Sequence, residues 1–473
     1  MQWSQFAEWG RRVSDWAQAY HRDVGNLPVR ARTRPGDILK SLPATPPDEP
    51  EDLEQVFSDF ETIVMPGMTH WQHPRFFAYF NSNASPASVL AEFLAMALSP
   101  QCMLWQTSPA ATELETRMMD WLRQSLGLPE MFQGVIQDSA SSATLAAVLT
   151  MREKALNWSG NTKGLPGAPQ LRIYCSAEVH TSVDRAIWVA GIGQDNLVRV
   201  PITGDWRGMD PEALNAAIEA DKAAGLLPAG VILSVGGTGT GATDPIRSCL
   251  DVAERHSLFT HVDAAWAGSA MMCPELRYHW EGVERADSIV FNPHKWLGVQ
   301  FDCSAHYLRT PEDLVRTLAI QPEYLKTHGT DGIINYSEWS VPLGRRFRAL
   351  KIWFVIRAYG LEGLRARMRN HIAWSKDLHD RLVQTDGFEV VTTRMWSLFT
   401  FRYVPPDVDD LDSLNLRLVN AINDDGRIYL TQTRVDGKLV IRFQAGQFET
   451  TEDDVRMAYD VICDVAASLS PVQ

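Results

Sequence analysis

A lysine that follows an apolar strand is the strongest chemical signal in the chain. Lys295 stands in Asn292-Pro293-His294-Lys295-Trp296, directly after Ser288–Phe291, so its amine is expected in a strand-end crevice and not in open water. A partly desolvated amine loses basicity and can attack a carbonyl carbon to form a Schiff base. Asp263, in His261-Val262-Asp263-Ala264-Ala265-Trp266, ends the preceding strand and could hold a proton on a ring nitrogen. The run Gln137-Asp138-Ser139-Ala140-Ser141-Ser142-Ala143-Thr144 opens a helix of small residues, whose free N–H groups and hydroxyls suit a phosphate. His180, in Ala177-Glu178-Val179-His180-Thr181-Ser182, follows another strand and could stack on a flat ring. Taken singly, each has an ordinary structural reading as a loop lysine, an N-cap serine or a packed histidine. Together they match what pyridoxal phosphate asks of a protein: a Schiff-base lysine, a carboxylate at the pyridine nitrogen, an anion site and a flat cover.

Three competing chemistries are weaker. Gly237-Thr238-Gly239-Thr240-Gly241-Ala242 has the spacing of a dinucleotide fingerprint, with Asp263 about 20 positions on. Pro245, however, delays the next helix beyond the glycines, so a pyrophosphate would not sit on its N-terminus. His70 and His73 form HxxH, and His261 pairs with Asp263, but no third ligand follows at helical or hairpin spacing. No metal site is expected. A GxSxG elbow is missing, which leaves a hydrolase without support.

These residues need a frame, and the middle of the chain supplies one. Short β-rich runs at Arg172–Cys175, Leu197–Pro201, Gly230–Val235, Leu258–Asp263, Ser288–Phe291 and Ser304–Leu308 alternate with helical patterns such as Pro211–Ala224 and Pro245–His256. Such alternation predicts an α/β fold with a mainly parallel sheet and helices on both faces, with the chemistry at the carboxyl ends of the strands. The last hundred residues change character. Phe388–Thr392, Ser397–Tyr403, Ile428–Thr433 and Lys438–Phe443 read as strands, the last two joined at Val435-Asp436-Gly437, and predict a small α+β unit. Near the start, Phe6, Trp9, Val13, Trp16 and Tyr20 put an aromatic stripe on one helix, too apolar to face water alone. Leu53, Val56, Phe57, Phe60 and Val64 line a second helix.

Composition narrows the partners. The 473 residues carry 44 Lys+Arg against 58 Asp+Glu, a net charge of −14 with no basic run, which argues against nucleic acid or an anionic membrane. No window is apolar enough for a transmembrane helix, and the first residues lack the pattern of a signal peptide. Six scattered cysteines without CxxC spacing predict free thiols in a reducing, cytoplasmic compartment. Sixteen tryptophans are more than the core segments account for.

The segments around Lys295, Asp263 and His180, with Asp302-Cys303-Ser304-Ala305, resemble the pyridoxal-phosphate decarboxylases of the aromatic-L-amino-acid group (group II, fold type I). The resemblance implies a fold-type-I large domain with a seven-stranded sheet at 86–358. It places an N-terminal helical segment at 1–85, embracing a second copy, and a small domain at 359–473. It implies that Lys295 carries the cofactor, that Asp263 faces the pyridine nitrogen, that His180 stacks on the ring and that Ala265 packs beneath it. Ser139, Ala140, Ser141, Asn292 and His294 match the family's phosphate positions, and Thr238 matches a threonine near the cofactor. Tyr324, in Pro322-Glu323-Tyr324-Leu325-Lys326, matches a tyrosine on a mobile lid (324–335) that returns a proton to the substrate carbon after CO₂ leaves. Phenylalanine there, or asparagine at His180, would imply aldehyde formation with O₂; Tyr324 and His180 favour simple decarboxylation. Trp71, Tyr79 and Phe80 match an aromatic substrate wall. Met103 stands where phenylalanine is usual, Asn81 replaces a common proline, and Gly344 leaves room for a bulky ring. The implied substrate is an aromatic L-amino acid, the implied cofactor pyridoxal 5'-phosphate, and the implied assembly a homodimer with shared sites. The alternative within the resemblance is an aromatic aldehyde synthase.

Overall fold

The structure is a computed structural model and describes residues 2–320 and 332–469. Its centre is a seven-stranded sheet in the order Gln133–Gln137, Ser304–Leu308, Ser288–Phe291, Phe259–Asp263, Leu227–Ser234, Leu171–Ser176, Leu197–Val200. The last five strands pair in parallel, while Ser304–Leu308 runs the other way and pairs antiparallel with both neighbours. The mainly parallel sheet expected from the strand–helix alternation is the observed one. Val231, Ile232 and Leu233 are all fully buried, since a strand covered by helices on both faces has no polar side.

All six strands expected for the middle of the chain are present, with ends moved by a few residues. Gln133–Gln137 was not expected; glutamines at both ends and a glycine at Gly134 hide its character. A Cβ at Gly134 would lie 2.2 Å from the flexible end of Met119 and 2.9 Å from the buried Tyr307 ring. The turn 236–243 folds back on itself, with Gly237 and Gly241 bonded through the backbone, and the next helix starts only at Ile246. A pyrophosphate on that helix start is therefore out of reach of the glycines, as Pro245 implied.

Behind the strand ends runs a line of buried polar groups. Thr144 Oγ1 lies 3.2 Å from His261 Nε2, His261 Nδ1 2.8 Å from Ser288 Oγ, and Ser288 Oγ 2.8 Å from His306 Nε2. Burial pushes His306 down to about 3 and His261 well below its ordinary value, so both imidazoles are neutral at physiological pH. The line ties the helix Ala140–Ala155 to three adjacent strands.

A second sheet, Phe388–Val390, Leu398–Tyr403, Lys438–Gln444 and Thr431–Val435 in spatial order, is antiparallel throughout. The expected strand Ile428–Thr433 is corrected to Thr431–Val435, and the hairpin turns at Asp436 and Gly437, with φ of 49° and 81° as a two-residue turn requires. The helical run Ala349–Val383 breaks at Gly360 and joins the two regions: Ile352 and Met368 pack on the main core, Leu378 and Leu382 on the core of the small sheet.

The aromatic stripe lies on helix Trp3–Asp23 and meets the second helix through Trp9–Phe57 and Trp16–Phe60. That second helix is α-helical only over Leu53–Asp59; Phe60–Val64 widens into a π turn. Among the described residues no helix is long and apolar enough to cross a membrane, and all six cysteines are free.

Candidate active site

The chain segments that leave the parallel strands gather at one edge of the sheet, where they wall a cavity of about 240 Å³. Ser139, Ala140, Ser141, His180, Thr238, Asp263, Ala265, Asn292 and Lys295 all line it, as does Phe80. Phe80 and Lys295, 215 positions apart in sequence, are thus brought to one cavity.

Lys295 lies in the turn after Ser288–Phe291, and its side chain is part-buried, facing the cavity. Burial pushes the amine from its ordinary value down to about 8; Asp263 opposes the shift and Arg442 adds to it. An amine in that range is unprotonated in a useful fraction of molecules near neutrality, which a nucleophile requires. Asn83 holds its backbone, donating to Lys295 O at 2.6 Å and to Gly446 O at 2.8 Å. The Lys295 Nζ stands 5.0 Å from the centre of the Phe80 ring.

Asp263 closes its strand, and its Oδ1 accepts from Ala265 N at 2.9 Å. The Ala265 carbonyl in turn accepts from Asn292 N at 2.8 Å, which ties the carboxylate's loop to the lysine's. His180 Nδ1 accepts from Ser182 N at 3.1 Å, so its neutral form carries the ring proton on Nε2. Burial lowers its pKa, Asp263 opposes that and Lys295 adds to it.

Helix Ala140–Ala155 begins at the cavity. Ser139 caps it by accepting from Ser142 N at 3.3 Å, which leaves the first-turn N–H groups of Ala140 and Ser141 at the cavity wall. Partial positive charge at the helix start, with Ser141 at the same wall, suits an anion; the Ser139 hydroxyl donates to Asp138 Oδ1 at 3.0 Å. Asn292 lines the same wall, its Oδ1 accepting from Ser304 Oγ. His294 does not line the cavity; its Nδ1 accepts from Cys303 N at 2.9 Å and burial pushes it down to about 3. The cavity therefore presents a nucleophilic amine, a carboxylate, an imidazole and an anion cradle, the donor set that fits pyridoxal 5'-phosphate.

Residues 35–404 match the family model described as the pyridoxal-dependent decarboxylase conserved domain. The chain belongs to this family. Tyrosine decarboxylase 1 of Narcissus pseudonarcissus is 38% identical across 98% of this chain and 93% of its own length. Phenylacetaldehyde synthase of Arabidopsis thaliana is 38% identical across 98% and 96%. The crystal structure of Oryza sativa TDC with PLP and tryptamine superposes with a TM-score of 0.95 at 36% identity, covering 99% of this chain and 98% of that one.

Membership in the pyridoxal-dependent decarboxylases gives the remaining expected residues their context. Trp71 and Tyr79 stack at 5.8 Å on the protein surface beside Phe76, and do not line the cavity. Met103 and Gly344 also lie outside it, on neighbouring loops joined by Cys102 N to Arg345 O and Ser337 N to Met103 O, each at 3.0 Å. Asn81 is buried, donating to Phe76 O at 2.9 Å. Tyr324 lies outside the described residues, as does most of the expected lid.

Three participants were not foreseen. Ser182 orients His180; Tyr429 packs edge-on to Phe76 and brings its hydroxyl to 3.5 Å from that of Tyr79; Arg442 sits behind Phe80 and Thr238. Arg442 left a signal in the sequence: Leu439, Val440, Ile441, Arg442 and Phe443 are consecutive buried residues of one strand, and a cation in such a run requires a reason.

Proposed function

We propose that this chain is a pyridoxal-phosphate-dependent decarboxylase of aromatic L-amino acids, releasing the arylalkylamine and CO₂. The observation that carries the reading is the enclosure of Lys295 in one cavity with Asp263, His180 and the Ser139–Ser141 helix start, walled by Phe80. The aromatic substrate class is supported by the surface cluster of Trp71, Phe76, Tyr79 and Tyr429 next to that wall, and by relatives named as tyrosine and tryptophan decarboxylases.

When bound, the cofactor supplies an electron sink for the pair left on the substrate's Cα as CO₂ departs. Lys295 would be the residue that holds it, through its amine. Asp263 keeps a proton on the pyridine nitrogen, and Ser139, Ala140, Ser141 and Asn292 hold the phosphate, with His294 fixing the turn that carries Lys295. His180 and Ala265 would pack against the ring, and His180 would keep its proton on Nε2 because Nδ1 accepts from Ser182 N. Tyr324 delivers a proton to Cα. A phenol, with an ordinary pKa near 10, is a weak base but a sufficient donor to a carbanion. Trp71, Tyr79 and Phe80 receive the aromatic side chain.

The same reading includes a homodimer in the cytoplasm. Phe6, Trp9, Val13, Val56, Leu90 and Phe93 line an apolar groove of about 400 Å³ that nothing covers in the single chain. An exposed apolar groove rimmed by polar residues is the kind of surface that takes a protein partner. A second copy lying across it would cover that face, and the free thiols fit a reducing compartment.

A substrate panel tests the proposal. Supplied with pyridoxal phosphate, the protein is expected to release CO₂ from tryptophan, tyrosine, DOPA or phenylalanine with a kcat/KM roughly 10²-fold above that for glutamate, since an aromatic wall leaves a second carboxylate unpaired. Preference for glutamate would remove the aromatic assignment while leaving the family in place.

A further inference from the structure

Arg442 is a buried cation without a counter-ion. It lies in the strand Lys438–Gln444 of the small sheet and is 3% exposed, yet among the described residues no carboxylate pairs with it. Two of its nitrogens are committed to backbone carbonyls: Nε donates to Thr238 O at 2.9 Å and Nη1 to Tyr79 O at 2.5 Å. The third, Nη2, is buried with no partner. Carbonyl oxygens fix the guanidinium in place but do not cancel its charge. An uncompensated buried charge is costly, and a fold keeps one where the charge itself acts.

What it acts on is set by Phe80. The guanidinium carbon of Arg442 stands 4.7 Å from the centre of that ring, and Nζ of Lys295 stands 5.0 Å from the same centre. Trp266 stacks against Phe80 at 4.4 Å and 14°, and Trp296 stacks in turn on Trp266, so the ring cannot turn away. Both cations thus lie within 5.0 Å of the centre of one immobile phenyl ring in a desolvated interior, where a charge is felt strongly. The other titratable groups around Lys295 are Asp263, His180 and His294. Asp263 acts to keep the lysine protonated, whereas both histidines are depressed by burial and carry no charge near neutrality. Burial opposes Asp263 first, and Arg442 is the standing charge that adds to it.

We infer that Arg442 is a positioning residue that sets the proton affinity of the Lys295 nitrogen, so that Asp263 can stay charged in the cavity without trapping the lysine as an inert ammonium. The same guanidinium pins two cavity segments to the small sheet. Tyr79, held through its carbonyl, has φ +50°, a left-handed backbone that a non-glycine residue adopts only when its surroundings impose it. The inference rests on the proposed attachment of the cofactor to Lys295.

The test titrates the visible absorption band of the cofactor-loaded protein with pH, in the unchanged chain and in Arg442→Gln and Arg442→Lys. Glutamine retains an amide donor for the carbonyls but removes the charge; lysine retains the charge but not the fork. The midpoint of the band's titration is expected to rise by about one pH unit in Arg442→Gln, because removing a nearby cation strengthens proton binding. It is expected to remain near the unchanged value in Arg442→Lys. Equal midpoints in all three proteins would overturn the inference even if activity fell, and so would a shift as large in Arg442→Lys as in Arg442→Gln. If Arg442→Gln does not fold, as judged by calorimetric unfolding, Arg442→Met takes its place as the charge-removing variant: a rise of about one pH unit relative to Arg442→Lys supports the inference, and equal midpoints overturn it. A protein showing no visible band in the unchanged chain would strike the cofactor assignment itself, which separates that failure from this one.

Discussion

Alanine at Lys295 is expected to remove both turnover and the visible cofactor band. The side chain faces the cavity, so its loss leaves the wall without that amine, and among the described residues no other lysine lines it. Activity is expected to fall by roughly 10³-fold or more, the scale on which loss of a nucleophile that also manages protons is felt. The fold is expected to survive. Removing a desolvated amine abolishes a buried polar burden, and the backbone at this position is held independently by Asn83 and by Lys295 N donating to Asn292 O at 2.9 Å. Thermal unfolding within a few degrees of the unchanged protein, with no band at saturating pyridoxal phosphate, is the expected pair of results. A Lys295→Ala protein that keeps the band and a substantial rate would take Lys295 out of its role.

Phenylalanine at Tyr324 is expected to change the product and not merely the rate. Without the phenol the electron pair on Cα waits unprotonated, and O₂ becomes its acceptor. The balance is one amino acid, one O₂ and one water giving aldehyde, CO₂, ammonia and H₂O₂. Amine formation is expected to drop by about 10²-fold or more, the usual worth of one positioned proton donor, with aldehyde and peroxide rising in step. The neutral imidazole of His180, its Nδ1 occupied by Ser182 N, stays in place to assist whichever outcome prevails. Unchanged products in Tyr324→Phe would show that the proton reaches Cα by another route. Relatives at similar identity include both decarboxylases and a phenylacetaldehyde synthase, so overall similarity does not settle this branch and a single proton donor can.

Much of this site was legible before any coordinates because its residues sit at the ends of strands with strong local signatures. The apolar run Ser288–Phe291 announces Lys295, and Leu258–Asp263 announces Asp263. Pro245, read as a late helix start, disposed of the dinucleotide motif for the reason the structure bears out. What was not legible depends on contacts between distant segments. Arg442 approaches Phe80 from a strand more than 350 residues away, and only the meeting of the two sheets puts it there. Gln133–Gln137 lacked any alternation to read, because its partners and not its own pattern make it a strand. The surplus of tryptophan is accounted for in part: Trp266 and Trp296 form the stack behind Phe80, Trp71 belongs to the surface wall, and Trp9 and Trp16 join the N-terminal helices.

The most direct measurement is a product balance on the preferred aromatic amino acid, with amine, CO₂, O₂ uptake and peroxide followed in the same reaction. Amine and CO₂ in equal amounts, with neither O₂ uptake nor peroxide, is the result expected of a site that holds Lys295, Asp263 and His180 together and returns a proton through Tyr324. Aldehyde and peroxide in amounts equal to the CO₂ would contradict it and make the unchanged chain an aldehyde synthase.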